Sequence, residues 1–496
     1  MSLFNFKRKP ALTTNKAGGA AYQQSAEMEL VSILLTSFIQ DQFYRKAGET
    51  VLDIRQLVDK VNPEFAAKAA VYARNEFGMR SASHVLAASI AEKASGQAWA
   101  RHFYDKIIRR PDDMLEIVAT YQAHGGKGLT NAMKKGFAAA IGRFDAYQLA
   151  KYRSEQKQWK MVDLVNLVHP KANQHNNEGL QQLVAGQLKN QRTWEAQLSM
   201  AGQKAEDSVE KQALKAQVWE DLLLNNQLGY LALLRNLRNI AGQASEETLN
   251  RAIALLTNRH AIKKSLVMPF QLLVAMDAIR ESDAPQKNRI AAALSQALDI
   301  SLDNVPKLPG KTLVVLDDSG SMAAMARGTG FGKRSCLTLG AVFAAALYKA
   351  NDADLMRFSD NASYVKANRD DSTMHIAQGL IDNAKAAGTN FHAIFDAARC
   401  RYDRIVILSD MQGWMGISTP QGVFAQYKQR YHVQTHLYSF DLQGHGSLQF
   451  PEREVYCLAG FSDKVFDLMR SLETDRNVLL NTINAVSLTR DTLSFS

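Results

Sequence analysis

From about residue 25 to residue 300, apolar residues recur at three- and four-residue spacing, the period of amphipathic helices. Alanine is abundant there and β-branched runs are rare, which favours closely packed helices. Many short helices without strands predict stacked helix pairs, as in an α-solenoid, although no clean repeat period is visible. The pattern predicts helices at 27–40, 65–77, 82–94, 115–121, 146–152, 218–224, 230–240, 248–257 and 269–279, with breaks at 125–126, 169–170 and 282–285.

The pattern changes after a linker that contains Pro306, Pro309 and Gly310. Short apolar runs typical of buried strands then alternate with segments of helical period. We predict strands at 312–316, 354–358, 404–409 and 434–441, and helices near 335–350, 374–386, 391–400 and 461–471. Strands that alternate with helices of this length are typical of βαβ units, so this part is predicted to be a doubly wound α/β domain with a mainly parallel sheet.

The length and composition of the chain limit the number of domains and the class of protein. A chain of 496 residues is long enough for two or three domains, and 46% apolar with 22% charged residues is ordinary for a globular protein. No apolar run approaches the roughly 18 residues of a membrane span, and the first residues lack the apolar segment of a secretory signal. Three widely separated cysteines indicate no disulfide framework. We therefore expect a cytoplasmic protein with no membrane partner.

The positive charge is concentrated in the first part of the chain. Residues 311–496 contain 19 basic and 19 acidic residues, so the whole net charge of +10 lies in residues 1–310. A net positive domain beside a neutral one suggests a polyanionic partner for the first and a different role for the second. Residues 1–20 show no periodicity, and 1–11 are expected to form a flexible tail.

A set of hard oxygen ligands follows the predicted strands of the second part. Asp317, Ser319 and Ser321 form an Asp-x-Ser-x-Ser motif directly after the apolar run 313–316, Thr389 lies in a loop, and Asp410 follows the run 405–408. Carboxylates and hydroxyls suit a divalent cation such as magnesium, and parallel strands bind ligands at their carboxyl ends. The alternative is that Ser-Gly-Ser is a turn and that both aspartates cap helices.

Together, Asp317, Ser319, Ser321, Thr389 and Asp410 resemble the metal-ion-dependent adhesion site of von Willebrand factor A domains. The resemblance implies one magnesium ion, with the serines as direct ligands, Thr389 as a further candidate, and the aspartates bound directly or through water. It also implies an open coordination position for a carboxylate or phosphate of a partner.

The helical part resembles the TROVE module of the Ro ribonucleoprotein autoantigen family. The resemblance rests on the sequences TNKAGGAAY at 14–22, RPDD at 110–113, GGKGLTNAMKK at 125–135, KYR at 151–153, DLVNLVHPK at 163–171 and LLRNLRN at 233–239. It implies a TROVE domain of HEAT-like helical repeats at 12–306, arranged as a ring, and a von Willebrand factor A-like domain at 307–496.

The same resemblance implies a function and partners. The expected protein binds small structured Y-type RNA on its outer surface and single-stranded 3′ ends of misfolded or unprocessed noncoding RNA in a central hole. It would work beside an exoribonuclease in RNA quality control. We expect a monomer with no DNA partner.

Basic residues between 127 and 171 are the main candidates for RNA contact. Lysine and arginine neutralise phosphates and release counterions, which gives an affinity that depends on salt. By resemblance, Lys151 and His169 lie where the family contacts Y RNA, and either Arg153 or Lys157 supplies a third basic group. The alternative is a solvated helix face, with His169 simply ending a helix. The predicted contacts are Lys127, Lys134, Lys135, Lys151, Arg153, Lys157, His169 and Lys171.

Arg74, Arg80 and His84 form a second, smaller candidate group for unpaired RNA. Ordinary charge at helix ends is the alternative for all three.

The sequence contains no Gly-x-Ser-x-Gly, no His-Glu-x-x-His and no cluster of carboxylates for two metals, so we expect no enzyme activity. The competing hypothesis is a protein-interaction scaffold whose metal site recruits an acidic partner without RNA.

Overall fold

The computed structural model describes residues 12–14, 20–23, 25–36, 47–154, 158–188, 194–204, 207–265, 267, 269–305, 307–323, 335–410, 420–442, 447–448, 455–458, 469 and 478–489. The predicted tail 1–11 and most of the predicted helix near 461–471 lie outside these residues. No helix in the part of the chain so described is long and apolar enough to cross a membrane.

The first part of the chain is built from helices. Helix starts follow the capping rules: in the third helix, Asn62 accepts hydrogen bonds from the N–H groups of Glu64 and Phe65, and Pro63 occupies the first turn. The helices are α1 (Ala26–Thr36), α2 (Ala47–Val58), α3 (Pro63–Glu76), α4 (Ser81–Ser89), α5 (Ala100–Lys106), α6 (Pro111–Ala123), α7 (Asn131–Ile141), α8 (Ala146–Lys151), α9 (Met161–Val168), α10 (Asn177–Val184), α11 (Trp194–Lys204), α12 (Ser208–Leu224), α13 (Tyr230–Gln243), α14 (Glu246–Leu256), α15 (Arg259–Ser265), α16 (Pro269–Arg280) and α17 (Lys287–Ser301).

The second part alternates strands and helices. Its strands are β3 (Thr312–Asp317), β4 (Ala353–Phe358), β5 (Ala362–Tyr364), β6 (Arg404–Ser409), β7 (His436–Asp441) and β9 (Val455–Leu458). They form one sheet in the order β5-β4-β3-β6-β7-β9, in which only the β4–β5 pair is antiparallel. The helices are α18 (Gly320–Ala323), α19 (Cys336–Ala350), α20 (Thr373–Asp382), α21 (His392–Ala397), α22 (Pro420–Tyr431) and α23 (Val478–Ala485).

The sheet is covered by apolar side chains. Every residue of β3 and of β6 is buried, as expected for central strands of a parallel sheet with helices on its faces. On one face, Leu313, Val315 and Ile407 pack with Phe391 and Phe424 from the helical layer. Strands β3 and β6 therefore lie side by side within one buried core.

A second, small sheet involves the start of the chain. Strand β1 (Leu12–Thr14) pairs antiparallel with β2 (Ala20–Gln23), which pairs with β8 (Ser447–Leu448). The lack of periodicity over residues 1–20 therefore gave no sign of the strand at Leu12–Thr14, which begins directly after the predicted tail 1–11. Three residues are too few to show a hydrophobic period, and the second pairing joins segments that are distant in sequence.

The predicted fold class, a helical part followed by a doubly wound α/β part, is confirmed by the architecture. The two compact units of the structure have residue boundaries that differ from those of the predicted domains. One unit comprises Met1–Ser25, Gln40–Lys46 and Met200–Arg476, and the other comprises Ala26–Ile39, Ala47–Ser199 and Asn477–Ser496. The predicted boundary at 306 and 307 marks the change from helices to alternating elements, and as a domain boundary it stays a prediction.

The last helix belongs to the second of these units, which we call the all-helical unit. Helix α23 packs against α3, and Lys68 Nζ lies 3.0 Å from the carbonyl oxygen of Asn484. Lys106 Nζ reaches the carbonyl oxygen of Ser487, also at 3.0 Å. We call the unit with both sheets the sheet-containing unit.

Candidate metal centre and candidate nucleic-acid interface

The candidate metal centre lies at the carboxyl ends of β3 and β6. These strands are parallel neighbours, and Leu316 pairs with Leu408. The carboxyl ends of the two strands therefore lie side by side at one edge of the sheet. Asp317 is the last residue of β3, and Asp410 directly follows β6. The Ser409 hydroxyl donates to Asp317 Oδ2 at 2.5 Å, which joins the two strand ends.

The Asp-x-Ser-x-Ser motif folds back on itself. The backbone N–H of Ser319 donates to Asp317 Oδ1 at 2.9 Å, and the hydroxyl oxygens of Ser319 and Ser321 are 3.2 Å apart. Two neighbouring ligands at about 2.1 Å from an octahedral magnesium ion are roughly 3 Å apart. The spacing of the two hydroxyls therefore fits adjacent ligands of one ion.

The loop that carries Thr389 is held beside this motif by backbone hydrogen bonds. The N–H of Ala386 donates to the carbonyl of Asp318 at 2.9 Å, and the N–H of Gly320 donates to the carbonyl of Ala387 at 3.0 Å. A Cβ on Gly320 would lie 3.1 Å from the carbonyl oxygen of Ala386, so a glycine lets the loops approach closely. Thr389 itself is buried.

The centre is buried and acidic. Asp317, Asp318 and Asp410 are each at most 1% exposed. Burial, together with the neighbouring charge of Asp318, raises the pKa of Asp317 to about 6, although hydrogen bonds from Ser319 and Ser409 act to lower it. A divalent cation would compensate the cost of burying these carboxylates.

The chemical types of the side chains at this centre indicate which metal ion it would bind. In the described residues, no group of three His, Cys, Asp or Glu side chains could hold a metal ion, so an ion here would also need hydroxyl, backbone or water oxygens. A set of hydroxyl and carboxylate oxygens without His or Cys suits magnesium better than zinc. The structure brings Asp317, Ser319 and Ser321 together and places Thr389 and Asp410 on adjoining segments; a shared ion stays a prediction.

The candidate nucleic-acid interface is in the all-helical unit, on α7, α8 and α9. Thr130 caps α7 by accepting the N–H of Met133, and Lys134 lies in the first turn. Lys127 and Lys135 are exposed, whereas Lys134 is half-buried. Exposed lysines near a helix N-terminus are suited to phosphate.

The segment after α9 extends the same region. His169 ends α9 in a left-handed conformation with φ of 48°, and both His169 and Lys171 are exposed. Asn173 Nδ2 donates to the carbonyl of Gly142 at 2.7 Å, and the buried Asn176 bonds the carbonyl of Ile141. These hydrogen bonds fix the segment to the end of α7.

The end of α8 combines positive and aromatic groups. Lys151 is exposed, and the Arg110 guanidinium lies 4.8 Å from the ring centroid of Tyr152. Arg153 is half-buried and donates to the carbonyl of Leu188 at 2.6 Å, so part of its hydrogen-bonding capacity serves the fold. Lys157 lies outside the described residues.

Arg74, Arg80 and His84 form an internal charge network. Asp113 accepts from Arg74 at 2.8 Å and from Arg80 at 2.9 Å, and His84 Nε2 lies 3.2 Å from the same carboxylate. The His84 side chain is 2% exposed and its Nδ1 lies 3.0 Å from Glu116. These side chains connect α3, α4 and α6; RNA contact by them stays a prediction that the network does not require.

Reasoning from the sequence missed the acid at the centre of this network. Burial raises the pKa of Asp113, but His84 and Arg74 outweigh burial and hold that pKa well below its usual range. The backbone N–H groups of Arg109 and Arg110 add two hydrogen bonds at 3.0 Å. The available signal was the sequence RPDD, in which a proline and two acids are typical of a helix start.

Comparisons with known proteins agree with this architecture. A family model described as the TROVE domain matches residues 17–214 and 184–325. The RNA-binding protein RO60 of Deinococcus radiodurans is 24% identical over 463 residues, which cover 84% of this chain and 86% of that protein. Telomerase protein component 1 of Mus musculus is 22% identical over 359 residues. That match covers 54% of this chain but spans 13% of the telomerase component's length.

Among solved structures, the crystal structure of the Deinococcus radiodurans RO (RSR) protein is similar, with a TM-score of 0.64 and 21% sequence identity. The similarity covers 90% of this chain and 100% of that chain. At this level of identity the likeness establishes a shared fold.

Proposed function

Because the chain belongs to the TROVE domain family, we propose that it is an RNA-binding component of a ribonucleoprotein particle. The relative from Deinococcus radiodurans that is named as an RNA-binding protein extends over most of both chains, which supports the proposal. The observation that carries it is the group of exposed basic side chains on α7, α8 and the segment after α9, all inside the residues that match the family.

The proposed RNA has two parts. Structured, Y-type noncoding RNA would lie on the basic surface that includes Lys151, His169 and Lys171, and single-stranded 3′ ends of misfolded RNA would be bound elsewhere on the helical part. The family resemblance supports this division, together with a role in RNA quality control beside an exoribonuclease. We further propose a cytoplasmic monomer that binds RNA without cutting it.

The metal centre has a separate proposed role. When bound, magnesium would supply positive charge and an octahedral template that holds Asp317, Ser319 and Ser321 in place. Thr389 and Asp410 would complete the protein's contribution. The buried oxygen donors also favour a second candidate function, a metal-dependent protein-interaction scaffold without RNA.

A salt titration tests the RNA proposal against this second candidate. The purified chain is mixed with a labelled structured RNA that carries a single-stranded 3′ tail, and the dissociation constant is measured over a series of rising salt concentrations. Each neutralised phosphate contributes a slope of about −0.9 to log K against log salt in duplex regions. We expect a steep negative slope and intact RNA after prolonged incubation with magnesium. Affinity that does not fall with salt contradicts RNA binding, and steady cleavage contradicts a purely binding role.

A further inference from the structure

An exposed tyrosine lies within the candidate nucleic-acid interface. Tyr147 is in the first turn of α8, and 42% of its surface is exposed. It is the one aromatic residue among the large hydrophobic residues that are exposed in the described part of the chain. A single exposed aliphatic side chain is common on a soluble protein, whereas an exposed aromatic ring beside basic groups is suited to nucleic-acid bases.

The packing of α8 leaves the Tyr147 ring at the surface. Leu149 is buried, and Ala146 faces α10, where a Cβ added to Gly179 would lie 2.7 Å from the Ala146 Cβ. Because residues four apart are neighbours on the surface of a helix, Tyr147 lies beside Lys151. Both of these residues are exposed. The helix face that carries them is therefore turned to solvent and takes no part in the core.

The charges on this face suit a phosphate backbone. Lys151 belongs to the group of exposed basic side chains that also includes Lys135 and Lys171. Asp145 is the acid next to Tyr147 at the start of α8, and its Oδ1 accepts a backbone N–H of the first turn at 2.7 Å. That carboxylate therefore caps the helix. An RNA strand whose phosphates lie near Lys151 has an aromatic ring within reach of its bases.

We propose that the ring of Tyr147 stacks on an unpaired base of the RNA that Lys151 helps to bind. In an uninterrupted duplex every base is already stacked between its neighbours, so an aromatic side chain reaches a base only where the strand is unpaired. The inference rests on the proposed RNA binding and extends it, because this surface then prefers a structured RNA with an interrupted stem. Stacking on an aromatic side chain changes the affinity about 5- to 150-fold for each base.

The test uses two RNAs, a blunt duplex and the same duplex interrupted by a short unpaired adenine segment. Dissociation constants are measured with the full purified chain as wild type, Tyr147→Ala and Tyr147→Phe. We expect wild type to bind the interrupted duplex more tightly than the blunt one. Y147A should bind the interrupted duplex about 5- to 150-fold more weakly than wild type does, with no change for the blunt duplex. Y147F keeps the ring and should follow wild type.

Two further variants separate stacking from charge and from the loss of any exposed apolar group. Leu52→Ala is the matched control, because Leu52 is an exposed apolar residue on α2 of the same unit, and it should bind both RNAs as wild type does. Lys151→Ala should weaken the binding of both RNAs and make the slope of log K against log salt shallower. Y147A should keep the wild-type slope, because tyrosine carries no charge.

A fluorescent base analogue, 2-aminopurine, reports stacking directly when it replaces an adenine of the unpaired segment. Its fluorescence should be quenched on binding to wild type and to Y147F, and much less on binding to Y147A. Equal affinities of wild type and Y147A for the interrupted duplex would overturn the role of Tyr147, as would equal losses in Y147A and Y147F. A wild type that binds both RNAs equally would overturn it too. A wild type that binds neither RNA overturns the proposed RNA binding itself.

Discussion

Asp113 shows how much of the helical part depends on a single carboxylate. It is fully buried and accepts hydrogen bonds from two arginine side chains and two backbone N–H groups. Removing one partner of a buried ionic network leaves the remaining charges uncompensated, which is far more costly than losing an exposed ion pair.

We therefore predict that Asp113→Asn lowers the free energy of unfolding by about 3–5 kcal/mol, measured by urea denaturation. The control is Glu247→Gln, which removes an exposed pair with Arg251 and should cost at most about 1 kcal/mol. Because the folded-state pKa of Asp113 is depressed, its contribution is present above the unfolded pKa of about 3.9 and is lost as pH falls below it. As the pH falls through that range, the free energy of unfolding of wild type should decrease more steeply than that of Asp113→Asn. If Asp113→Asn and Glu247→Gln lowered the free energy of unfolding equally, a central role for Asp113 would be refuted.

Ser319 tests the metal centre at the same scale. Ser319→Ala removes one of the proposed hydroxyl ligands, so the variant should lose most of the stabilisation that wild type is expected to gain from magnesium in thermal unfolding. Ser335→Ala is the control, since Ser335 caps α19 by accepting the N–H of Thr338 at 3.2 Å. Loss of this cap should cost about 1 kcal/mol with or without magnesium. A full magnesium shift in S319A would exclude Ser319 as a ligand.

At the scale of secondary-structure elements, a glycine allows helices α5 and α7 to pack closely. Gly136 in α7 faces α5, where an added Cβ would lie 2.5 Å from Tyr104 Cβ and 2.6 Å from the carbonyl oxygen of Arg101. Because the second of these atoms belongs to the backbone, a substituted side chain can be accommodated only if the helices move apart.

Gly136→Ala should accordingly destabilise the protein by about 1–3 kcal/mol through overpacking, as measured by chemical denaturation. Gly242→Ala is the matched control, because Gly242 is also helical and nothing lies within 4 Å of an added Cβ. Alanine's higher helix propensity should make that variant more stable by about 0.5–1 kcal/mol. The same sign for both substitutions would contradict the packing argument.

Elements with a local signal were predictable from the sequence. The period of apolar residues located α13 and α16 to within a few residues, and the run 404–409 coincides with β6. Strands β5 and β9 were missed because short edge strands are defined by their pairing partners rather than by a local pattern. The assembly of Asp317, Ser319 and Ser321 was predictable from motif spacing, whereas the buried environment of Arg74 and His84 depends on how α3, α4 and α6 pack.

At the scale of the whole molecule, the net charge differs between residues 1–310, for which we propose RNA binding, and residues 311–496, for which we propose metal binding. The excess of basic residues lies before residue 311, and the buried oxygen-donor centre lies after it. The compact units cut across this division, since α12 to α17 are grouped with the sheets. The compact units are defined by which helices and strands pack together. The distribution of charge along the sequence does not reveal that packing.

The charge division predicts which lysines matter for RNA. The triple variant Lys135→Ala, Lys151→Ala and Lys171→Ala should weaken RNA binding and make the slope of log K against log salt shallower by about 1 for each phosphate that is no longer neutralised. The control replaces Lys307, Lys366 and Lys385, which are exposed in the sheet-containing unit, and lowers the net charge equally. Equal decreases in affinity for the two variants, measured by filter binding, would mean that net charge alone attracts the RNA.

The central claim is that the helical residues bind RNA and that the α/β residues do not. Ultraviolet crosslinking of RNA to the purified chain, followed by mass spectrometry of the crosslinked peptides, tests it most directly. We expect crosslinks before residue 300, concentrated between 127 and 171, and essentially none after residue 310. Crosslinks concentrated in the residues after 310 would contradict the account.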